Sequence, residues 1–287
     1  MSMMDGGVLY PSFITQKGVN ELKDADIVTE DDLFILTFPK CGTTVTQQIV
    51  HLLNHEGEQP DHHMMAGVPW LEASYCNGTY TLEGLKERKL RCFKSHASPH
   101  LFPGDWRKPK MIFVTRNPKD TMVSMYHHMK NKKTWSFAGS WDDFFYNKIM
   151  QNTIESNNFF DWHLPWWERY KSGQVPRALW LHYEDIIADM PGSVRKIADF
   201  MGKDVSDETV AEVARMSTLD SMKKNPLADC KWITASEHAT EQGDAQHLRR
   251  GGKGNWKDVF TVRQNEIFTR YCDERLKGTG LTYDYGE

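Results

Sequence analysis

Four short, almost wholly apolar runs place the strongest constraint on the fold of this chain. They read LFILTF, RCFKSH, MIFVT and ALWLHY, beginning at Leu33, Arg91, Met111 and Ala178. Each has the length of a strand, and segments of helical period lie between them. Strands that are apolar on both faces suit a parallel sheet covered by helices on both sides. This alternation predicts an α/β fold.

The helix candidates are TTVTQQIVHLL, the segment after Pro118, and EDIIADMPGSVRKIADFM. A chain of 287 residues can form one large domain or two small ones. We interpret residues 1–287 as a single domain, with a central parallel sheet flanked by helices and an N-terminal segment over residues 1–30. Residues 226–256 show no sustained period, and a loop of that length is usually functional, as a lid or a binding segment.

The composition fits a globular enzyme and argues against several other classes. Hydrophobic residues make up 39% of the chain and charged residues 26%. The net charge is -4 without a dense basic run, so neither nucleic acid nor a membrane surface is an expected partner. No apolar stretch approaches the roughly 20 residues of a membrane span, and no signal-peptide pattern is visible. We expect a soluble, cytoplasmic protein. The five cysteines lack disulfide or zinc spacing and predict free thiols.

The segment FPKCGTT joins the first apolar run to a helix and predicts an anion-binding loop. Gly42, Thr43 and Thr44 would place backbone N–H groups at the helix N-terminus, and Lys40 adds a cation. An ordinary strand-to-helix turn is the simpler alternative. A P-loop nucleotide kinase or NTPase is the functional alternative, although its G-x-x-x-x-G-K-[ST] spacing is missing because Lys40 precedes Gly42.

The order K-x-G-T-T resembles the 5′-phosphosulfate loop of the cytosolic sulfotransferases, usually written YPKSGTTW. The resemblance implies a P-loop-like site and a metal-independent enzyme. Such an enzyme moves a sulfuryl group from 3′-phosphoadenosine 5′-phosphosulfate (PAPS) to a small acceptor and releases 3′,5′-adenosine bisphosphate (PAP). Phe38, Cys41 and Val45 replace the family's Tyr, Ser and Trp. Cys41 could be a thiol nucleophile with a lowered pKa or a small replacement for serine.

A second motif, RNPKDTMVSMYHH, follows the run MIFVT and resembles the family's RNPKDVAVSYYHF. Arg116 lies at the end of a strand, where α/β sheets bind ligands. The resemblance implies that Arg116 and Ser124 hold the 3′-phosphate. It implies the same for Arg249, Arg250 and Gly251 of LRRGGKGNWKD, which is similar to the family's RKGxxGDWK and lies within residues 226–256.

The resemblance implies further cofactor contacts in two segments. They are Tyr183 of LHYED, and STLDSMKKNP, whose Ser217, Thr218 and Leu219 lie where the family has residues flanking the adenine; Met222 of the same segment is also a cofactor contact. Leu219 stands for a family Phe, as Val45 stands for the family Trp that stacks on adenine. Stacking of a base on an aromatic ring contributes roughly 1 to 3 kcal/mol. We therefore expect apolar shape, rather than stacking, to hold the base.

The segment FKSHASPHLFP resembles the family's KTHLPxxLLP, which implies His96 as general base and Lys94 as a second cation. The acceptor must lose a proton as it attacks sulfur, and a neutral imidazole can take it. Lys40 would stabilise the charge that develops on the bridging oxygen. A protein that binds PAPS without turnover is a further alternative, against which the retention of Lys40, Lys94 and His96 argues.

The acceptor site is the least matched part of the chain. Its implied contacts are Trp70, His100, Trp135 and Phe137. A phenol or steroid-like alcohol is one acceptor class, and a polar amine or alkaloid is the other. The second is favoured by the polar residues Ser98 and His100 after the base and by acidic residues of the lid, namely Glu237, Glu241 and Asp244.

Near the C-terminus, KDVFTVRQNE matches the family's dimerisation pattern K-x-x-x-T-V-x-x-x-E. The matched residues are Lys257, Thr261, Val262 and Glu266. The resemblance implies a homodimer; a helix start with a threonine cap is the alternative interpretation.

Overall fold

A parallel sheet of four strands forms the centre of the fold in the computed structural model, which describes residues 1–130, 135, 137–230 and 247–286. The strands are β3 (Leu33–Thr37), β4 (Cys92–Ser95), β5 (Lys110–Thr115) and β6 (Ala178–His182), in the spatial order β4–β3–β5–β6. A short antiparallel pair, β1 (Ser2–Met3) and β2 (Leu9–Tyr10), lies apart from this sheet. The predicted α/β fold is confirmed.

Helices surround the sheet. In chain order they are α1 (Gln16–Asp24), α2 (Thr43–Leu53), α3 (Met64–Gly67), α4 (Leu71–Cys76), α5 (Leu82–Lys86), α6 (Pro118–Lys130), α7 (Trp141–Phe144), α8 (Phe159–Lys171), α9 (Tyr183–Ala188), α10 (Met190–Met201), α11 (Asp207–Met216), α12 (Leu219–Lys224) and α13 (Val262–Leu276). A π-helical turn, Phe145–Ile149, follows α7, and 3₁₀ turns occupy Asp5–Gly7 and Asn255–Asp258.

One predicted helix is divided in the structure. The segment EDIIADMPGSVRKIADFM forms α9 and α10, which meet at Asp189. Asp189 has a φ of -134°, and its side chain accepts a hydrogen bond of 2.9 Å from the backbone N–H of Gly192. Pro191 cannot donate a backbone hydrogen bond, which is tolerated in the first turn of a helix. The new N-cap and this proline explain why the helix restarts here.

The two faces of the sheet belong to two separate apolar cores. Phe34 and Leu36 of β3 point into the larger core, which includes Trp166 of α8. Their neighbours Leu33 and Ile35 point into the other core, beneath α10 and α11. Strands buried on both faces account for the continuous apolar runs of the sequence. Since all four strands are parallel, the loops that follow them gather at one edge of the sheet.

Other expectations concern the surface and the thiols. Across the described ranges, no helix is both long and apolar enough to cross a membrane; the cytoplasmic location stays a prediction. All five cysteines lie among the described residues, and no disulfide joins any of them. Thr261 caps α13, and Val262 is 78% exposed. The homodimer implied by these residues, with Lys257 and Glu266, also stays a prediction.

Candidate functional site

A cavity of about 1150 Å³ opens at the carboxyl edge of the sheet. Single ligand pockets usually measure about 300 to 1,000 Å³, so this cavity has room for a nucleotide and a small acceptor together. The predicted site residues that line it are Lys40, Gly42, Thr43, Thr44, Val45, Trp70, Lys94, His96, Arg116, Ser124, Trp135, Tyr183, Ser217, Thr218, Leu219, Met222, Arg249, Arg250 and Gly251. The motifs recognised along the sequence therefore meet at one place.

The loop between β3 and α2 has a backbone that few residues can adopt. Lys40 and Gly42 both have positive φ angles, 72° and 97°, and Gly42 is the N-cap of α2. A Cβ atom on Gly42 would lie 2.8 Å from Cδ2 of Tyr183, so a larger residue does not fit. The first N–H groups of a helix have no acceptor within it. Since Thr43 and Thr44 line the cavity, this helix start can bind an anion.

Cys41 lies in the same loop but points away from the cavity. Its side chain is fully buried, with Sγ 3.6 Å from Oγ1 of Thr121. Burial raises the pKa of the thiol to about 12, although helix N-termini usually lower thiol pKa values. The lowered pKa required for a nucleophile is not found, and the structure favours Cys41 as a small replacement for serine.

Arg116 lies at the end of β5 and connects two loops of the cavity. Its guanidinium donates to the carbonyl oxygens of Lys40, at 3.3 Å, and Gly252, at 3.1 Å, and lies 4.6 Å from the ring centroid of Tyr183. Its Nε is buried without a hydrogen-bond partner, as is Oγ of Ser217. Buried polar atoms normally have partners. These two atoms, with the helix start of α2, form a donor set that fits a nucleotide carrying several phosphate groups.

Sequence reasoning missed Asp120, which holds the loop that contains Gly251. Its carboxylate accepts hydrogen bonds from the backbone N–H groups of Gly254, at 2.7 Å, and Trp256, at 2.9 Å, and from Nδ2 of Asn117, at 2.8 Å. Asp120 is only 1% exposed. The RNPKD segment thus positions the loop that contains Gly251 through Asp120.

The wall expected to contact adenine is closely packed. A Cβ atom on Gly251, whose φ is 62°, would lie 3.0 Å from Cδ2 of Leu219 and 3.6 Å from the hydroxyl of Tyr183. Arg250 lines the cavity but also reaches Asp258, at 3.3 Å, on the exposed side. Leu219 and Val45 therefore present aliphatic surfaces where the family has aromatic rings.

His96 follows β4 and has a defined tautomer. Its Nδ1 lies 2.8 Å from the carbonyl oxygen of Thr37. Because a carbonyl can only accept, Nδ1 carries the proton in the neutral ring and the lone pair is on Nε2. The indole N–H of Trp162 donates to the carbonyl of His96, at 2.8 Å, and the ring of Trp70 meets the imidazole edge-on at 4.8 Å. Lys94 Nζ lies 4.9 Å from the ring centroid of Trp70.

Glu72 of α4 is a second residue that sequence reasoning missed. The Ser95 hydroxyl donates to its Oε1 and accepts from the backbone N–H of Ala97, at 3.0 Å. Glu72 thereby fixes the chain on both sides of His96. Burial raises the pKa of the Glu72 carboxyl to about 7, against the lowering effects of the hydrogen bond from Ser95 and the charge of Lys94. Its signal in the sequence was one acidic residue within the otherwise apolar segment VPWLEA.

Two of the four residues expected to contact the acceptor lie outside the cavity. His100 is exposed, with Nε2 3.1 Å from the carbonyl oxygen of Asp5, because the turn after Ser98 directs it towards the N-terminal segment. Phe137 packs against Phe144, with ring centroids 5.2 Å apart. Trp70 and Trp135 do line the cavity. The lid residues Glu237, Glu241 and Asp244 lie outside the described residues.

Comparisons with known proteins agree with this geometry. A family model described as "Sulfotransferase domain" matches residues 30–280. Sulfotransferase 1C2 of Homo sapiens is 30% identical over 88% of this chain and 86% of its own length. Amine sulfotransferase of Oryctolagus cuniculus is 31% identical over 95% of this chain and 89% of its own.

One solved structure that resembles this chain contains PAP. The crystal structure of mouse sulfotransferase SULT7A1 complexed with PAP superposes with a TM-score of 0.75 and 26% identity, covering 95% of this chain and 94% of that one. The donor set at the cavity fits the same nucleotide. Among the described residues, no group of three or more His, Cys, Asp or Glu side chains is arranged to hold a metal ion. The chain belongs to the sulfotransferase family and is a PAPS-dependent sulfotransferase.

Proposed function

We propose that this enzyme transfers the sulfuryl group of PAPS to a hydroxyl or amine group of a small acceptor, with His96 as the general base. The observation that carries the proposal is the hydrogen bond from Nδ1 of His96 to the carbonyl oxygen of Thr37, since it leaves the lone pair on Nε2. His96 and Lys94 both line the cavity, so an acceptor bound there can lie beside them.

The roles of the other residues follow from their positions. PAPS, when bound, supplies the sulfuryl group and a phosphate leaving group. Thr43 and Thr44 at the start of α2 bind the 5′-phosphosulfate, while Arg116, Ser124 and Arg249 bind the 3′-phosphate. Their place on the cavity wall and the unpaired Nε of Arg116 support these roles.

His96 takes the acceptor proton as the acceptor oxygen or nitrogen bonds to sulfur. The bond between sulfur and the bridging oxygen breaks, and its electron pair stays on that oxygen. Lys40 and Lys94, both on the cavity wall, stabilise the developing negative charge. Each step moves a proton or an electron pair between groups that are already present, so the proposed chemistry requires no metal.

The experiment is sulfate transfer from PAPS to a panel of phenols, alcohols and amines. His96→Ala should lower kcat by about 100- to 10,000-fold, the usual contribution of a general base. Thermal stabilisation by PAP without metal should persist in the variant, because His96 does not belong to the phosphate-binding set. His62→Ala, a partly exposed histidine outside the cavity lining, is the matched control.

Three results would overturn parts of the proposal. Unchanged kcat in His96→Ala would place the base elsewhere. Stabilisation by PAP without transfer to any acceptor would support the alternative of a binding protein. Stabilisation by ATP with magnesium, and none by PAP, would favour the nucleotide kinase.

A further inference from the structure

A buried histidine and carboxylate lie together on the cavity wall, apart from the residues assigned to PAPS and to proton transfer. Nε2 of His128 lies 2.9 Å from Oε2 of Glu155. Their side chains are 9% and 3% exposed, and both line the cavity. A buried carboxylate is costly unless it forms compensating hydrogen bonds. Its place on a ligand cavity therefore needs a reason other than packing.

The position of His128 associates the pair with the part of the cavity expected to bind the acceptor. His128 follows Ser124 on α6 by four residues, so the two share one face of the helix about one turn apart. Its ring centroid lies 6.3 Å from that of Trp135, one of the two expected acceptor contacts that line the cavity. The pair thus lies between a residue of the proposed 3′-phosphate site and an aromatic residue of the expected acceptor site.

Glu155 is held in place by a strained and tightly bonded loop. Ser156 and Asn157, which follow it, both have positive φ angles, 61° and 57°, which non-glycine residues rarely adopt. The backbone N–H of Ser156 donates to the carbonyl of Leu9, at 2.8 Å, and the backbone N–H of Leu9 donates to Oδ1 of Asn157, at 3.0 Å. Such strain persists only where the surroundings fix it, and it concentrates at functional sites.

The hydrogen-bonding capacity of the pair defines what it can recognise. His128 donates to Glu155, and a carboxylate can accept several hydrogen bonds at once. Its complement in a ligand is therefore a donor: a hydroxyl or, with charge complementarity, an ammonium group. An apolar group in the same place would lie against the polar pair without forming a hydrogen bond to it.

We propose that His128 and Glu155 form a polar subsite that selects acceptors bearing a second hydrogen-bond donor, a hydroxyl or ammonium group, remote from the group that is sulfated. The inference rests on the proposed function, because it assigns the acceptor to this cavity. It narrows the acceptor to an amphipathic molecule with an aromatic or alicyclic body and a polar end.

The test uses three phenols that differ only at the end of the side chain: 4-ethylphenol, 4-(2-hydroxyethyl)phenol and 4-(2-aminoethyl)phenol, with the propyl and butyl homologues of each. In the wild type, kcat/KM for the best donor-bearing phenol should exceed that of its apolar match by about 10- to 100-fold, the usual effect of a hydrogen bond to a charged group. Equal values across all matched sets would overturn the proposal without any variant.

Glu155→Gln tests the carboxylate directly. The ratio of kcat/KM between donor-bearing and apolar phenols should fall at least tenfold, because the bond weakens and the apolar phenol no longer faces a charge. Glu168→Gln, the same change at an exposed position of α8, should leave the ratio unchanged. A ratio unchanged in Glu155→Gln would overturn the proposal.

His128→Phe provides a second variant if Glu155→Gln fails to fold, with folding checked by thermal stabilisation by PAP. It removes the hydrogen-bond donor to Glu155 but keeps an aromatic ring beside Trp135. The ratio of kcat/KM between donor-bearing and apolar phenols should therefore also differ from that of the wild type. Absence of transfer to every phenol by the wild type would instead contradict the proposed function, so the two failures are distinguishable.

Discussion

The two halves of the cavity are built from different chemistry. The part that we propose as the phosphate half consists of backbone N–H groups and cations at strand ends, fixed by Asp120 and by the contacts of Arg116 with Lys40 and Gly252. The part that we propose as the acceptor half has aromatic walls and a buried pair, His128 and Glu155. In this proposal the first set binds the nucleotide and the second selects the acceptor. Cosubstrate and acceptor recognition should therefore be separable by mutation.

The largest effect is expected at the phosphate half. Arg116→Ala should weaken PAP binding about 1000-fold, because two or more charge-assisted hydrogen bonds of about 1.5 to 3 kcal/mol each are lost. Arg116→Lys keeps the charge but loses the planar fork of the guanidinium. Its affinity for PAP should lie between those of Arg116→Ala and the wild type. Isothermal titration with PAP in the absence of metal measures both. Arg107→Ala, an exposed arginine paired with Asp105, is the control.

If the PAP affinity of Arg116→Ala stays within threefold of that of the wild type, the proposed phosphate half is wrong, because the nucleotide then depends on other donors. A loss as large for Arg107→Ala would indicate a general effect of surface charge instead.

An intermediate effect is expected at Glu72, which supports the segment around His96. The pKa of this carboxyl is raised from 4.5 to about 7, so the folded protein binds its proton more readily than the unfolded chain does. The contribution of Glu72 to stability is therefore fully present below pH 4.5 and is lost as pH rises to about 7. Glu72→Gln should remove this loss, on the order of 3 kcal/mol, and gain stability relative to the wild type across the window.

Urea unfolding at several pH values measures the free energy of unfolding for both proteins. Glu58→Gln, an exposed carboxylate, should follow the wild-type pH dependence. If the curves of Glu72→Gln and the wild type run parallel between pH 4.5 and 7, the buried carboxyl does not titrate there.

The smallest effect is expected at Leu219, on the wall expected to contact adenine. Leu219→Phe restores an aromatic face and should tighten PAP binding by about 1 kcal/mol, or roughly fivefold, the lower end of base stacking. Pyrophosphate, which lacks a base, should bind both proteins equally. Equal PAP affinities would show that the packing of Leu219 against Gly251 leaves no room for a stacked ring.

The motif residues of the phosphate half were predictable because short segments carry them. Lys40, Gly42 and Arg116 follow apolar strands, and parallel strands bring the loops after them to one edge. The supporting residues were not predictable. Asp120 and Glu72 act through contacts with segments 134 and 23 residues away, and no local pattern reports a partner so distant.

The acceptor half shows the same limit more strongly. His100 and Phe137 were expected to contact the acceptor, yet both lie outside the cavity lining and contact Asp5 and Phe144 instead. His128 and Glu155, separated by 27 residues, meet there instead. The sequence by itself determined the α/β fold, the family and the phosphate-binding motifs, because strand periodicity and helix-start chemistry are local properties. Only the tertiary structure decided which side chains line the rest of the cavity, because that depends on how distant loops pack against each other.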